Sequence, residues 1–558
     1  MRPLPVIPPD TGDNAGSTPT GTRLDNGTRC SLSYYGKTLR RVDAPDPHKR
    51  LQWYLKNTGT LRNAVAGADL NVLPVHEKLG LRGQGIRVAV VDDGVELTHD
   101  DLLANVLPGA SYSYRWSNRT TAFPLPCQVT EDHGTAVAGI IAARDNNGVG
   151  ISGVAPRAHL VGLNPLESDM ASDLMDALTR DAAHNHIYNN SWGAPDNGHF
   201  YAPSPSDNSF RKTLGDTLKT GRQGLGPIYV FAAGNGGQET DYAVYDGTGS
   251  ALGTLAICAH NAAGLRSSYS EPGPNLLVCA PSGDMDASTP RPGVTTTDLD
   301  SKFTNGFSGT SAAAPMASGV IALMLQANPE LSWRDVRLVL ARSARKLDPH
   351  HPGWRSFGGL NFNHEYGFGG LDAEAAVNLA RRWKSVGGSA SLKTCGPFAV
   401  TLQGTDRRIP DAHPLHDDEV RNIFRHINLA EPVQGGLESA VQIPTGACDI
   451  QHVEHVDVTL RTQPRFPGSG DGSGDLHITL TSPSGQTSTL STPHLCFDDD
   501  DNEQDCSGLQ NFRFGLSRHL DEPATTASNR SWTLRAADRR TNSKRTLLQG
   551  WNLTIYGR

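Results

Sequence analysis

The sequence lacks the features that mark several protein classes. None of its eight cysteines forms a C-x-x-C pair, so neither a zinc site nor a dithiol redox motif is indicated. The longest stretch without a charged residue, 303–329, is broken by Asn, Ser, Thr, Gly and two Pro, which favours a buried core helix over a membrane span. Charge is sparse, since 19% of the 558 residues are charged and the formal net charge is −8. Nucleic acid is therefore not an expected partner.

A secretory signal is also missing from the first residues, because 1–20 contain no apolar run. The cysteines nevertheless suit an oxidising compartment. Cys395 and Cys448 bracket one segment and Cys496 and Cys506 bracket a short acidic loop, so both pairs are predicted to form local disulfides. We therefore expect a secreted or periplasmic, that is extracytoplasmic, protein.

The remaining cysteines lead to different predictions. Cys258 and Cys279 lie inside the apolar, strand-like runs TLAICAH and NLLVCAP. In such runs a free buried thiol is the favoured interpretation. A disulfide from Cys30 to Cys127 would tie the N-terminal segment to the rest of the chain.

Composition divides the chain into three parts. Residues 1–41 are rich in Pro, Gly, Thr and Asn and predict a flexible leader. In 42–386, apolar strands such as IRVAVVDDG and PIYVFAAGN alternate with helix-like stretches, which predicts a parallel α/β sheet. In 387–558, helix signals are few, and alternating runs such as VEHVDVTL and GWNLTIYG predict a small β-sandwich.

Three motifs in the α/β part stand in the order Asp, His, Ser. Asp92 closes the strand in VAVVDDG, His133 opens a helix in EDHGTAVAG, and Ser311 precedes a small-residue helix in SGTSAAAP. A serine nucleophile needs an imidazole to take its proton and a carboxylate to hold that imidazole. Asn235 in FAAGNGG follows another strand and is a candidate donor to the oxyanion. Each motif alone is more often structural, but the four together predict a hydrolytic site.

These contexts resemble the subtilases, and DDGVE, NNSWGAPDNG and HEYGFGGLDAEAAV look like their kexin/furin branch, the proprotein convertases. The resemblance spans about 42–558. It implies a subtilisin-like α/β peptidase domain over 42–386, with helices on both faces of a parallel sheet, and an all-β, jelly-roll-like P domain over 387–558. It also implies the catalytic residues: Asp92, His133 and Ser311 as the triad and Asn235 as the oxyanion donor.

The resemblance further implies acids that bind basic substrate residues. Asp196 and Asp246 match the pocket for the residue before the cut, and Asp93 matches the acid that meets a basic residue one position upstream. An Arg or Lys guest requires such a counter-charge, because burying an unpaired cation is unfavourable. Asp176 aligns only across a gap with the acid for the fourth upstream residue. The sequence leaves open whether Asp176 has that role or is a solvated acid on a helix.

Calcium is the cofactor that the resemblance implies, bound by oxygen ligands. One site takes side chains and nearby backbone carbonyls from five residues: Asp46, Asp101, Arg144, Asn147 and Val149. A second site, behind the specificity pocket, takes three carboxylates: Asp196, Asp241 and Glu271. A third site of the family is not supported, because its segment SYSYRWSNRTTAFPLP contains no Asp or Glu.

The function predicted by resemblance is a calcium-dependent serine endopeptidase that cleaves proteins and peptides after Lys-Arg or Arg-Arg. A first alternative is a broad-specificity secreted subtilase, which differs in its cleavage of Lys-Arg, Ala-Arg and Ala-Leu peptides. A second alternative is an inactive adhesin or carrier on the same scaffold, which fluorophosphonate labelling of Ser311 would distinguish.

The leader adds an expectation about partners. At about 41 residues it is too short and too polar to fold as the pro-domain of the family. We therefore expect either a pro-domain outside this chain or a separate folding chaperone. The dibasic pair Arg40-Arg41 is also a predicted site of self-cleavage.

Overall fold

The structure is a computed structural model. It describes residues 43–558 except for the following positions: 117, 118, 120, 169, 202–206, 239, 240, 285, 287, 416–434, 467–471, 499, 501, 507, 541 and 543. The leader, with Cys30 and the predicted cut after Arg41, lies outside the described residues.

Six parallel strands form the central sheet of the first half. They are β1 (Arg87–Val91), β2 (His159–Leu163), β3 (Ile187–Asn190), β4 (Ile228–Ala232), β5 (Thr254–His260) and β6 (Leu276–Pro281). Their spatial order is β2, β1, β3, β4, β5, β6, and each strand pairs with its neighbours in parallel. Nearly every residue in them is buried, which explains their continuous apolar runs. The predicted parallel α/β sheet is confirmed.

Seven helices accompany the sheet in the described part of the chain. They are α1 (Leu73–Lys78), α2 (His133–Ala142), α3 (Ala171–Thr179), α4 (Asp207–Thr220), α5 (Thr310–Ala327), α6 (Trp333–Ser343) and α7 (Ala373–Ala380). Helices α2 and α5 pack on the sheet and on each other. By length and composition α5 would pass for a membrane span, but 83% of it is buried inside the protein, as predicted for a core helix.

Two antiparallel hairpins complete this half. One consists of β7 (Val294–Asp298) and β8 (Lys302–Phe307), and the other of β9 (Arg355–Phe357) and β10 (Leu360–Phe362). The first hairpin lies against α2, because Thr296 and Thr297 of β7 donate their hydroxyls to the carbonyls of Ala136 and Thr135.

The second half is a β-sandwich, as predicted. Its strands are β11 (Lys393–Thr401), β12 (Asp411–Leu415), β13 (Leu437–Gln442), β14 (Val453–Pro464), β15 (Leu476–Thr481), β16 (Thr487–Ser491), β17 (Cys496–Phe497), β18 (Glu503–Gln504), β19 (Gln510–Leu516), β20 (Ser531–Arg540) and β21 (Thr546–Gly557). One sheet has the order β11, β21, β14, β19, and the other has the order β12, β20, β15, β16 with β13 also paired to β20. Strands β17 and β18 form a separate short hairpin.

Disulfides correct one prediction and support two others. Cys258 and Cys279 are bonded to each other, so the prediction of two free thiols is wrong. They are register partners on β5 and β6 with Cα atoms 4.2 Å apart, a pairing that neither local run reveals. The two local disulfides are confirmed: Cys395–Cys448 and Cys496–Cys506. Cys127 is also disulfide-bonded, to a partner that is not among the described residues.

The two halves share a hydrophobic core. Phe200, Tyr242, Val244 and Tyr245 of the first half belong to the same buried cluster as the interior of the sandwich. The rings of Phe200 and Phe512 lie 5.3 Å apart across this boundary. Without the sandwich, these apolar side chains of the α/β half would be exposed to water.

An ion pair inside the same boundary links α6 to β14. The guanidinium of Arg334, which is fully buried, donates through Nε to one oxygen of Glu454 at 2.7 Å and through Nη2 to the other at 2.6 Å. Such bidentate geometry fixes the orientation of both side chains. The boundary is therefore held by a specific polar contact as well as by apolar packing.

Candidate active site

Asp92 and His133 are in contact at the carboxyl edge of the parallel sheet. Asp92 follows β1 and His133 begins α2, and 2.8 Å separates Oδ1 of the first from Nδ1 of the second. The Asp92 side chain is 1% exposed and the imidazole 33%. Burial opposes a proton on the imidazole, but the charges of Asp92, Asp93 and Asp132 and the hydrogen bond to Asp92 together raise the pKa of His133 above its ordinary value. The carboxylate thus orients the ring and stabilises its protonated form.

Ser311 lies in the first turn of α5. Its hydroxyl donates to the carbonyl oxygen of Ser191 at 3.0 Å, and among the described residues no hydrogen bond joins it to His133. Ser191 returns the contact, because its hydroxyl donates to the carbonyl of Ser311 at 3.0 Å. Hydrogen bonds of a catalytic serine are often completed only when substrate binds. The reciprocal bonds hold the end of β3 against the start of α5.

The side-chain amide of Asn235 has a fixed orientation. Its Oδ1 accepts from the backbone N–H of Thr310 at 2.8 Å and from the Thr310 hydroxyl at 3.0 Å. Because the amide group is planar, these bonds also direct Nδ2 away from Thr310. Sequence reasoning missed Thr310, although it directly precedes Ser311 in the GTS motif.

A cavity of about 140 Å³ opens beside Ser311. Four carboxylates line it: Asp196, Asp241, Asp246 and Glu271. Asp246 accepts from the backbone N–H of Thr248 at 2.6 Å and of Ala194 at 3.3 Å, while burial raises its pKa. The structure thus places both acids that the sequence assigns to the specificity pocket, Asp196 and Asp246, around one cavity.

Three of these carboxylates converge. Oxygen atoms of Asp196, Asp241 and Glu271 lie within 4.8 Å of one another. Burial and the neighbouring acids raise the pKa of Asp241 to about 7 and that of Glu271 well above its usual range. Asp241 and Glu271 are buried and Asp196 is exposed. Carboxylates that repel one another at such short range are the donor set that a hard divalent cation requires, so these residues fit the predicted second cation site.

The first predicted cation site is also brought together. Asp46 accepts from the backbone N–H of Asn147 at 3.1 Å, and Asp101 accepts from the Asn147 side chain at 2.8 Å. The backbone N–H of Arg144 donates to the carbonyl of Asp101, and that of Val149 donates to the Asn147 side chain. Oδ2 of Asp46 is buried without a hydrogen-bond partner, and burial raises the pKa of Asp46 to about 6. An unpaired buried carboxylate oxygen fits a cation here.

Asp93 has a structural contact that the sequence did not predict. Its two carboxylate oxygens accept from the first N–H groups of α2, those of His133 at 3.2 Å and Gly134 at 2.8 Å. Burial and the neighbouring Asp92 charge raise the pKa of Asp93 to about 8. The carboxylate therefore holds the helix that carries His133.

Asp176 lies in α3, and its charge is paired within the chain. Its Oδ2 accepts from Nε of Arg180 at 2.9 Å and from the hydroxyl of Tyr114 at 2.7 Å. The side chain is 46% exposed. Of the two interpretations that the sequence left open, neither included this internal ion pair.

The carboxyl edge of one parallel sheet carries a serine at the start of a helix, an Asp–His pair and an amide of fixed orientation. This combination defines the class of subtilisin-like serine hydrolases. The chain belongs to the subtilase family: the model of that family matches residues 83–369. The model of the proprotein convertase P-domain matches residues 453–555. The domain boundaries 42–386 and 387–558 stay predictions.

Relatives resemble both halves. The chain is 35% identical over 492 residues to a PC3-like endoprotease variant B of Hydra vulgaris, with 86% of this chain and 63% of that protein covered. It is 32% identical over 529 residues to Neuroendocrine convertase 2 of Drosophila melanogaster, with 92% and 72% covered. The chain spans less than two thirds of the length of the two Hydra relatives, 63% of variant B and 57% of variant A.

A solved structure extends the similarity to the whole fold. The serine protease of Aeromonas sobria, in a crystal structure of its complex with a chaperone, superposes with a TM-score of 0.77 at 26% identity. The superposition covers 94% of this chain and 98% of that one. The α/β half and the sandwich therefore have a common arrangement in the two proteins.

Proposed function

We propose that this protein is a serine endopeptidase that cleaves peptide bonds after basic residues, preferentially after Lys-Arg or Arg-Arg. The observation that supports this most is the cavity beside Ser311, which four carboxylates line. A cationic side chain is the guest that such a cavity stabilises, because an apolar guest would leave Asp246, the lining acid that is not among the proposed calcium ligands, desolvated without a counter-charge. Activity on basic sites thus follows from charge complementarity next to the nucleophile.

In the proposed reaction, Oγ of Ser311 attacks the substrate carbonyl carbon and passes its proton to Nε2 of His133. Asp92 holds the imidazole through Nδ1 and stabilises its positive charge, while Nδ2 of Asn235 donates to the developing oxyanion. The C–N bond then breaks, and the leaving amine takes the proton from His133. Water attacks the acyl-enzyme in the same manner, with His133 first accepting its proton and then returning it to Ser311.

Specificity is assigned to three acids. Asp246 and Asp196 pair with the basic residue before the cut, and Asp93 pairs with the residue one position further upstream. Asp93 and Asp246 each accept from two backbone N–H groups, but two acids, Asp246 and Asp196, face the residue before the cut, whereas Asp93 alone would face the next residue upstream. The pocket before the cut is therefore the stronger determinant.

Calcium is proposed at two sites. Asp46, Asp101 and Asn147, with carbonyls near Arg144 and Val149, would hold one ion. Asp196, Asp241 and Glu271 would hold the other. Bound calcium supplies positive charge that offsets the repulsion among these carboxylates. The second set of ligands also fixes Asp196 at the cavity, so calcium dependence of activity is expected.

An extracytoplasmic location and a folding helper belong to the same proposal. The disulfides among the described residues suit an oxidising compartment. The A. sobria relative was crystallised with a chaperone, which supports a separate helper over a pro-domain for this chain.

The test is a comparison of kcat/KM on three peptides that end in Lys-Arg, Ala-Arg or Ala-Leu before the cut, with Ser311→Ala as the inactive control. We expect the order Lys-Arg, Ala-Arg, Ala-Leu and no turnover by the control. Equal cleavage of all three peptides would favour a broad-specificity subtilase. Absence of cleavage together with absence of fluorophosphonate labelling would favour a binding protein.

A further inference from the structure

The acids of the cleft follow the order of the strands. The carboxylate cavity lies beyond β3 and β4, Asp93 lies beyond β1, and the next strand along the edge is β2. Asn164 directly follows β2, and its Oδ1 accepts from the N–H of Tyr114 at 2.8 Å. The Tyr114 hydroxyl in turn donates to Asp176. A substrate with basic residues at the cavity and at Asp93 therefore continues upstream toward Tyr114 and Asp176.

Arg180 forms an ion pair with Asp176, the acid at this upstream end. It donates to Asp176 through both Nε, at 2.9 Å, and Nη2, at 2.5 Å. Its guanidinium lies over the ring of Tyr112, with 3.5 Å between Cζ and the ring centroid. Stacking and two hydrogen bonds fix the cation where the guanidinium of a substrate arginine would otherwise bind.

Arg119 occupies a second acid of the same region. It is bidentate to Asp173, with Nη1–Oδ2 at 2.7 Å and Nη2–Oδ1 at 2.6 Å. The Asp173 side chain is 7% exposed, and the hydrogen bonds from Arg119 lower its pKa. Both carboxylate oxygens of Asp173 are thus engaged before a substrate arrives.

Arg115 occupies two further acids. Its Nη2 lies 2.7 Å from Glu131 and also pairs with Glu167, which lies four residues after the end of β2. Arg115 and Arg119 both come from the segment SYSYRWSNRTTAFPLP, which carries no acid of its own. That segment therefore brings two cations and no acid to this part of the protein.

We propose that Arg115, Arg119 and Arg180 neutralise the upstream end of the cleft, so that the enzyme selects basic residues at the two positions before the cut and at none further upstream. The inference rests on the proposed cleavage after basic residues. A substrate arginine at the fourth position would meet a paired acid and the positive charge of Arg180 beside it. An intramolecular partner forms its ion pair without the entropy loss of association, so the substrate gains nothing there.

The test uses a peptide series X-Ala-Lys-Arg with a chromogenic amide, in which X is Arg, Ala or Leu. For the native chain we expect kcat/KM with X = Arg to lie within about twofold of that with X = Ala. Arg180→Gln frees Asp176 and should raise the Arg/Ala ratio about two- to fivefold, the range that one exposed ion pair supports. Asp176→Asn should leave the ratio of the native chain unchanged.

The matched control is Arg545→Gln. Arg545 pairs with Asp411 at 3.0 Å and has the same 30% exposure as Arg180, but this ion pair lies in the sandwich. This variant should keep the native ratio. Activity on Ala-Ala-Lys-Arg and the melting temperature report whether each variant is folded.

Two results would overturn the inference while leaving the proposed function intact. One is a native Arg/Ala ratio above about tenfold that Asp176→Asn abolishes, and the other is a ratio that does not change in folded Arg180→Gln. Failure of the native chain to cleave any Lys-Arg peptide would instead overturn the proposed function, and the inference with it.

Discussion

The hydroxyl of Tyr245 lies 3.2 Å from Nδ1 of His494, across the boundary between the two halves of the protein. It also lies 3.1 Å from the hydroxyl of Ser491 and accepts from the N–H of Thr492. Tyr245 directly precedes Asp246, which lines the carboxylate cavity. The position of Asp246, the proposed specificity residue, is therefore set in part by the sandwich.

Tyr245→Phe tests this link. Loss of a buried hydroxyl that serves several partners should lower the free energy of unfolding by about 1–3 kcal/mol. It should also raise KM for Arg-ended peptides, because the backbone beside Asp246 loses its anchor. Tyr229→Phe is the control, since its hydroxyl bonds to the Leu178 carbonyl at 2.7 Å inside the α/β half. That variant should lose stability without a change in KM, and equal effects on KM would contradict the link.

A second prediction concerns the nucleophile and its oxyanion donor. Ser311→Ala should remove turnover by several orders of magnitude with an unchanged fold, because the triad acts as a unit. Asn235→Ala should lower kcat about 10²- to 10³-fold. Thr310→Val, which removes one bond to Oδ1 of Asn235, should lower kcat less, at constant KM. Each variant must have the circular dichroism spectrum of the native protein. Substantial turnover by the Ser311→Ala variant would contradict the assignment.

Asp93 gives a prediction for pH. Its pKa of about 8 lies above the ordinary range of an aspartate, so the carboxyl is mostly protonated at pH 6 and ionised at pH 9. The Lys-Arg over Ala-Arg preference should therefore increase across this interval. Asp93→Asn should make the preference independent of pH. It should also lower kcat, because an amide cannot accept from both N–H groups at the start of α2.

If the Lys-Arg over Ala-Arg preference of the native chain does not change with pH, Asp93 is excluded as the acid for the upstream residue. An unchanged kcat in Asp93→Asn would show that its bonds to α2 do not position His133.

Chelation is the fourth prediction. EDTA should lower the melting temperature and kcat/KM together, because bound calcium stabilises only the folded state. In Asp46→Asn the melting temperature with calcium should already be lower, and the further shift on chelation should be smaller. Asp457→Asn serves as control, since this buried acid pairs with His455 in the sandwich. It should retain the full EDTA shift, and identical shifts in all three proteins would refute the first site.

The last prediction concerns Cys258–Cys279. Replacing both cysteines by alanine should lower the free energy of unfolding by about 3 kcal/mol, the effect expected for a bridge between residues 21 apart. Urea denaturation of the oxidised native chain and the double variant measures it. Equal midpoints with equal slopes would mean that parallel pairing of β5 and β6 alone supplies the stability.

Local signals predicted the elements that carry the site. Asp92, His133 and Asn235 each stand at the end of a strand or the start of a helix, and the apolar runs that place them there are continuous in the sequence. The sandwich was predictable for the same reason, from the alternation in its strands.

Contacts between distant segments were not predictable. The bridge between Cys258 and Cys279 depends on the register of two parallel strands, which a single run does not encode. Asp173 and Arg119 are 54 residues apart in the sequence, so their pairing depends on the fold that brings them together. In the sequence Phe200 and Tyr245 are ordinary aromatic residues, and only the structure shows that the sandwich packs against them.

The shared core also bears on the order in which the protein becomes active. During synthesis the triad is complete once Ser311 has been made, but the core behind the cavity includes residues from Val441 to Ile555. Domains fold as their residues emerge, with the N-terminal parts first. A nascent chain therefore carries Ser311 well before the core behind the carboxylate cavity can be completed.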